Sequence, residues 1–459
     1  MRTTRTFRSV LRRTATATTA GIAVLALAAC GVGASGASGT DTTSAMTAAG
    51  RSNDLLSSLD LSTLDTHLDE DDLAVDTADA TAITLSDDGS SSESDAVRVD
   101  GSSVTITAGG VYRVSGSLAD GQLVVDAPDE ETVTLVLDDA SITSSAGPAI
   151  AVRSADEVTL LLAEGSSNAV QDGEDYEVAD DSTPVAAIAS ASDLTIAGSG
   201  ALTVTGSTND GIATRDGLAI ASGTLTVTAV DDAIRGKDYV SVQGGTLDIT
   251  SGGDALKSDN YEDEDRGWVL VSGGSITVNS KDDGIDAEQA VNITGGTLEV
   301  ASSVEGIEAE DVLITGGTVD ITASDDGINA TAAHQVDGSE AEFGREEDDG
   351  ALLSVSGGDI TIDADFDGLD SNGIAELTGG TVTITSADNG GDSPVDANGY
   401  ITLDGATITA NGEKITDVDD LGGTGPGGMG GGPGGDPRGG TPPDGAPWQQ
   451  PSDGGGDNG

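Results

Sequence analysis

The sequence predicts an all-β solenoid: a right-handed, single-stranded parallel β-helix with about 22 residues per coil. Three observations predict it. A unit of one pattern recurs at Gly223–Arg235, Gly274–Asp286, Gly296–Glu308 and Gly317–Asn329. Equivalent acids keep a steady interval: Asp210, Asp232 and Asp254 lie 22 residues apart, as do Asp283 and Glu305. Within a unit, apolar residues alternate with polar ones, as Leu298 and Val300 do with Thr297 and Glu299. That is the period of a strand with one face inward. The units contain no helix-length segment, which disfavours a leucine-rich solenoid. Right-handed winding follows from the general chirality of parallel crossovers.

The elements follow in chain order. Arg2, Arg5, Arg8, Arg12 and Arg13 form a basic leader, and Gly21–Ala29 is an apolar run too short for a membrane span. Leu27–Cys30 resembles a bacterial lipoprotein cleavage site. The resemblance implies a signal peptide over residues 1–30, with Cys30, the only cysteine, as the lipidated first residue of the mature chain. The expected location is the extracellular face of the cell membrane, contacted through the lipid alone. Residues 31–75 are rich in Ser, Thr, Gly, Ala and Asp and read as a flexible tether, with a short helix at residues 55–64.

Residues 76–420 form the β-helix. Its first coils are less regular, with strand-like runs at Val104–Thr107, Gln122–Asp126, Val133–Leu137 and Leu194–Ile196. The clear repeat covers residues 208–412, interrupted by insertions at residues 259–267 and 331–350. In each unit a Gly-Gly pair makes a tight corner, an alternating strand follows, and an Asp-Gly-Ile step turns the chain again. A second short strand such as Val312–Ile314 closes the coil, giving about three strands and three turns. Stacked coils place equivalent residues about 4.8 Å apart. Residues 421–459 are rich in Gly, Pro and Asp and cannot bury a core.

The formal charge is −63, from 81 acids against 18 Lys and Arg, so nucleic acid is excluded as a partner by repulsion from its phosphates. Cations, or ligands bridged by cations, are the natural partners. Aromatics are 2% of the chain, too few for a sugar-stacking platform along most of the surface.

Aligned units place the acids in columns. The first holds Asp210, Asp232, Asp254, Asp283, Glu305, Asp326 and Asp367. The second, three residues on, holds Ala213, Arg235, Lys257, Asp286, Glu308, Asn329, Asp370 and, in a degenerate unit, Asp396. A third position adds Asp231, Asp282 and Asp325, with Asp365–Phe366 nearby. The Gly or Ala between the first two columns lets the backbone bend so that both acids face one edge. Stacked carboxylates about 5 Å apart repel one another. A hard cation that takes six to eight oxygens resolves this, which points to Ca²⁺ over the stricter Mg²⁺. The expected ligands are Asp232, Asp254, Asp282, Asp283, Asp286, Glu305, Glu308, Asp325, Asp326, Asp367 and Asp370. One ion would be shared by Asp283, Asp286, Glu305 and Glu308, another by Glu308, Glu310 and Asp326, and another by Asp367 and Asp370. The bland alternative is that Asp sits here because it caps turns and solvates the edge. With two His and one lipid-linked Cys, Zn²⁺ and Cu²⁺ sites are not expected.

In two coils the second column turns basic, at Arg235 and Lys257, with Lys237 nearby. They are either neutralising partners of the ladder or a notch for an anionic ligand such as a uronate. The insertion after Lys257 carries Tyr261 and leads into Trp268. Arg235, Lys237, Lys257, Tyr261 and Trp268 therefore make the expected ligand site. His67 and His334 fall in loops and receive no role.

Arg235–Tyr239, Asp254–Ser258 and Asp283–Ala287, each after a Gly-Gly-Thr-hydrophobic unit, resemble the secreted bacterial β-helix family of carbohydrate-binding domain-containing proteins. The resemblance spans roughly residues 76–412. It implies a right-handed parallel β-helix that binds calcium and attaches to plant-type, including acidic, polysaccharides. The implied fold is similar to that of pectate-type polysaccharide lyases, which pair an Asp-bound Ca²⁺ with a Lys or Arg base. Asp232, Asp254 and Asp283 with Lys257 could mimic that pair. Lys257 lies in a repeat column beside an acid that could satisfy it, so catalysis is not carried over, and fold alone does not give function. The expectation is a monomeric, lipid-anchored, calcium-loaded protein that binds polysaccharide without cleaving it. The alternatives are a lyase, and an adhesive surface protein presenting Thr faces such as Thr226–Thr228 and Thr383–Thr385.

Overall fold

The computed structural model describes residues 66–68, 73–174, 176, 183–263, 265–332, 350–387 and 392–421. The leader with Cys30, the helix expected at residues 55–64, most of the 331–350 insertion and the tail after Leu421 lie outside them. The 33 strands described form one mixed sheet, from Thr81–Leu85 to Glu413–Ile415. The fold is all-β and solenoid-like, because the strands between its ends pair in parallel with their equivalents one coil on.

Three strands make up a coil in the middle of the chain, for example Asp210–Thr214, Gly217–Ile220 and Thr224–Ala229. They pair with Ile234–Gly236, Tyr239–Val242 and Thr246–Thr250 of the next coil. In later coils the corners straighten and neighbouring strands merge, as in Ile285–Ile293 and Leu352–Ala364. The sequence runs Gln122–Asp126 and Val133–Leu137 fall within strands Gln122–Asp126 and Val133–Thr143.

The core is three aliphatic columns. Ile212, Ile234, Leu256, Ile285, Ile307, Ile328 and Leu369 stack in register along one wall. Leu225, Leu247, Ile276, Leu298, Val319, Ile360, Val382 and Ile408 do so along another. The third runs through Leu218, Val240, Val269, Val291 and Val312. These residues are at most 2% exposed. Each coil thus buries its aliphatics against its neighbours, the source of stability in a stacked repeat. Antiparallel pairs close the two ends of the described stack: Val97–Asp100 with Ser103–Ile106, and Thr407–Ala410 with Glu413–Ile415. They occupy edges that would otherwise template aggregation.

The second glycine of the Gly-Gly corner adopts a left-handed backbone, with φ +95° at Gly245, +86° at Gly274 and +82° at Gly296. The glycine of the Asp-Gly-Ile step serves another purpose. A Cβ at Gly284 would lie 2.5 Å from the Gly306 carbonyl, and one at Gly306 2.3 Å from that of Gly327. Close coil stacking, rather than freedom to bend, is what these positions require.

Candidate functional site

The acidic columns run along one edge, and the second is a true strand register. Ala213 pairs with Arg235, Arg235 with Lys257, Lys257 with Asp286, Asp286 with Glu308, Glu308 with Asn329, and Asn329 with Asp370. Asp396 follows Val395, which bridges to Leu369, and so continues the column.

The first column forms a side-chain ladder. The Asp254 N–H donates to Asp232 Oδ1 at 2.9 Å, the Asp283 N–H to Asp254 Oδ1 at 2.9 Å, and the Glu305 N–H to Asp283 Oδ1 at 2.9 Å. Further on, the Asp367 N–H donates to Asp326 Oδ1 at 2.8 Å and the Ser393 N–H to Asp367 Oδ1. One carboxylate oxygen per coil is therefore a backbone cap, as the turn-capping alternative requires. The other oxygen is left outside this backbone ladder, and in Asp254 it is taken by Lys257 Nζ. Glu305, one methylene longer, instead accepts from Asn329 Nδ2 with both oxygens at 3.2 Å.

Four triads bring carboxylate oxygens within 4.8 Å of one another: Asp210, Asp231 and Asp232; Asp254, Asp282 and Asp283; Asp283, Glu305 and Glu308; Asp367, Asp370 and Asp396. The set expected from sequence is thus partly gathered. Asp286 does not join Asp283, Glu305 and Glu308, because Lys257 Nζ holds its Oδ2 at 2.8 Å. Asp325 and Asp326 enter none of these triads, and neither does Glu310. Asp210, Asp231 and Asp396 were column members in the sequence without being expected ligands. The offset of Asp396 from Asp370 follows from a coil whose regular spacing has degenerated.

The triads differ in their neighbours. Asp210 is 1% exposed, its Oδ2 has no hydrogen-bond partner, and Arg235 Nη1 lies 3.7 Å away. Burial and the nearby charge of Asp232 push Asp210 up to about 8, against the pull of Arg235. Lys257 Nζ donates to Asp254 Oδ2 as well as to Asp286, and those two acids hold the lysine well above its usual value despite burial. Among the described residues, neither Lys nor Arg forms an ion pair with Asp283, Glu305, Glu308, Asp367, Asp370 or Asp396. In these coils burial, reinforced by facing carboxylates, pushes Asp283 up to about 8, Glu305 to about 9, and Asp367 and Asp370 to about 7. Glu308 and Asp396 are raised by burial too. Repulsion in a partly desolvated row is the physical cause.

The basic notch is closed by its own insertion. Arg235 is bound by Asp259, and Lys237 Nζ lies 3.2 Å from Glu262 Oε2. The insertion meets the bases with its acids rather than its aromatics. Tyr261 is 60% exposed, but Trp268 is 1% exposed and stacks on Tyr239, with centroids 4.5 Å apart and planes at 5°. Trp268 is a packing residue on the flank and presents no face to a ligand. Phe366, 46% exposed, is the aromatic beside an acidic triad. It occupies the third column, since its N–H donates to Asp325 O at 3.2 Å.

Known proteins resemble parts of this chain. A carbohydrate-binding domain-containing protein of Acetivibrio thermocellus is 42% identical over 137 residues, which are 29% of this chain and 48% of that protein. The chain thus spans about half the length of that relative. A solved structure described as the polysaccharide lyase-like protein from C. thermocellum, gadolinium derivative, is 35% identical, with a TM-score of 0.47 over 52% of this chain and 92% of that one. A family model described as carbohydrate-binding domain-containing protein matches residues 100–350, more than half of the sequence. The chain belongs to that family of carbohydrate-binding domain-containing proteins.

Proposed function

We propose that this protein binds acidic polysaccharide through calcium ions held on the acidic edge of a right-handed parallel β-helix, without cleaving the chain. The observation that carries the reading is the triad of Asp283, Glu305 and Glu308, whose carboxylate oxygens converge within 4.8 Å with no Lys or Arg ion pair among the described residues. Three carboxylates at that spacing fit an oxygen-seeking cation with flexible coordination. Asp367, Asp370 and Asp396 repeat the arrangement. A uronate carboxylate would complete the shell of either ion, with Phe366 beside the second for contact with a sugar face. Lys257 and Arg235 act here as resident counterions. A lysine locked between two acids cannot accept the proton that a lyase must remove, which favours binding over cleavage. The mature chain is proposed to be a monomer anchored by lipid at Cys30 on the extracellular face of the membrane.

The test is thermal unfolding of the mature protein in EDTA, then with Ca²⁺, then with Ca²⁺ and oligogalacturonate. A rise with Ca²⁺ and a further rise with the sugar only when Ca²⁺ is present support the reading. No response to Ca²⁺ would leave the acids as turn caps. Unsaturated products absorbing near the ultraviolet edge would restore the lyase alternative.

A further inference from the structure

The flank of the stack carries a second constellation, away from the acidic edge. Glu157 pairs with Asp193, and Gly217 with Tyr239, Tyr239 with Trp268, and Trp268 with Ala290, all in one outward-facing register. The Gly217 N–H donates to Asp193 Oδ1 at 2.9 Å, linking the two halves of the row. Tyr239, Trp268 and Ala290 form a small cluster separate from the main core. Gly217 leaves a slot against the tyrosine: a Cβ there would lie 2.2 Å from the Tyr239 ring.

His67 fills the neighbourhood of that slot. Its ring centroid is 5.8 Å from that of Tyr239, with the planes at 30°. The His67 backbone N–H donates to the Tyr239 hydroxyl at 2.7 Å, and Nδ1 contacts the same oxygen. On the other side Nε2 lies 2.8 Å from Thr195 Oγ1, which donates its own proton to Glu157 Oε1 at 3.1 Å. The hydroxyl therefore accepts from Nε2–H, which fixes that nitrogen as a donor. Asp193 Oδ1 is 3.2 Å from Nδ1, and the His67 side chain is 9% exposed. Arg266 lies 5.8 Å from the Tyr239 ring centroid.

We propose that this row is an intramolecular docking site, a latch in which the imidazole of His67 plugs a socket built by Glu157, Asp193, Thr195, Gly217 and Tyr239. His67 lies 128 residues from Thr195 and 172 from Tyr239 in sequence, so the contact is a long-range fastening and not a local turn. The two ring nitrogens each meet a hydroxyl, of Tyr239 and Thr195, with the Asp193 and Glu157 carboxylates behind them and the Tyr239 ring alongside, which is what a socket for an imidazole needs. The latch holds residues 66–68 against the side of the stack, several coils beyond the first strand at Thr81–Leu85.

The experiment is hydrogen exchange by mass spectrometry on the full mature chain, comparing wild type, His67→Gly and Thr195→Val. The latch predicts that the peptide containing His67 exchanges on the order of tenfold or more faster in His67→Gly, with the core strands unchanged. Thr195→Val should show a smaller increase in the same peptide, and it keeps the test open if the glycine variant folds poorly. Free imidazole should bind His67→Gly saturably, raising its melting temperature, and should not do so in wild type, where the socket is filled. Equal exchange in wild type and both variants, or an equal response of both proteins to imidazole, would overturn the proposal.

Discussion

The coils up to Lys257 and those from Asp283 onward share one ladder and balance its charge differently. In the earlier coils a protein cation occupies the second column: Arg235 lies between Asp210 and Asp259, and Lys257 between Asp254 and Asp286. In the later coils that column holds Glu308, Asn329 and Asp370 after Asp286, the last acid that Lys257 reaches, and burial with repulsion from facing carboxylates raises Glu308 and pushes Asp370 up to about 7. The difference teaches that the acidic column is a scaffold first. One oxygen of each Asp caps the next coil in both regions, and only the counterion of the other oxygen varies. Where the sequence supplies no base, the carboxylates are left facing one another, which is what the proposed calcium sites rest on.

Removing calcium should give the largest effect. Each base-free triad saturated at about 100 times its Kd adds about 2.7 kcal/mol. Two of them together amount to roughly 10 °C in melting temperature. Hydrogen exchange in EDTA should rise in the strands around Glu305 and Asp370 and stay constant around Ile212. Equal loosening of both regions would break the comparison.

Lys257→Met converts an early coil to the late type. It leaves Asp254 and Asp286 facing each other unneutralised, at a cost of about 3 kcal/mol in EDTA. Calcium should recover most of that loss, and calorimetric titration should count one additional ion. A variant that is destabilised and deaf to calcium would show that the two regions are not interchangeable.

The pH response should be smaller and opposite in the two metal states. Without calcium the folded protein binds more protons than the unfolded chain from about pH 4 to about pH 9, because Asp283, Glu305, Asp367 and Asp370 all titrate above their ordinary values. Stability is therefore lost as the pH rises through that window, read as a fall in melting temperature between about pH 5 and about pH 9. Saturating calcium competes with those protons and should flatten or reverse the slope.

The smallest effect separates cap from charge. Asp283→Asn keeps an oxygen for the Glu305 N–H and should leave the calcium-free protein nearly as stable as wild type while weakening calcium binding. Asp283→Ala loses the cap as well and should be about 1 kcal/mol less stable than the Asn variant in EDTA.

Much of this was legible in the sequence because a solenoid turns periodicity into contact. Residues 22 apart become neighbours, so Leu225 over Leu247 and Asp232 beside Asp254 could be read from spacing alone. What periodicity could not supply lies where it fails. The insertion that binds Arg235 and Lys237 has no counterpart in the repeat, so its acids could not be matched to their bases. Trp268 occupies an outward strand position, yet Tyr239 and Arg266 enclose that flank. His67 precedes the repeat altogether, and its partners lie more than a hundred residues away.

The one-oxygen cap has a consequence for polymeric ligands. Because it repeats with the coil, the two base-free triads lie on one edge about three coils, or roughly 14 Å, apart. On the proposed function, a polysaccharide long enough to reach both would bind bivalently, its second contact formed at high effective concentration once the first is made. Avidity of this kind depends on chain length more than on monomer identity. Short oligomers would exchange quickly, and long ones would stay on by releasing one end at a time.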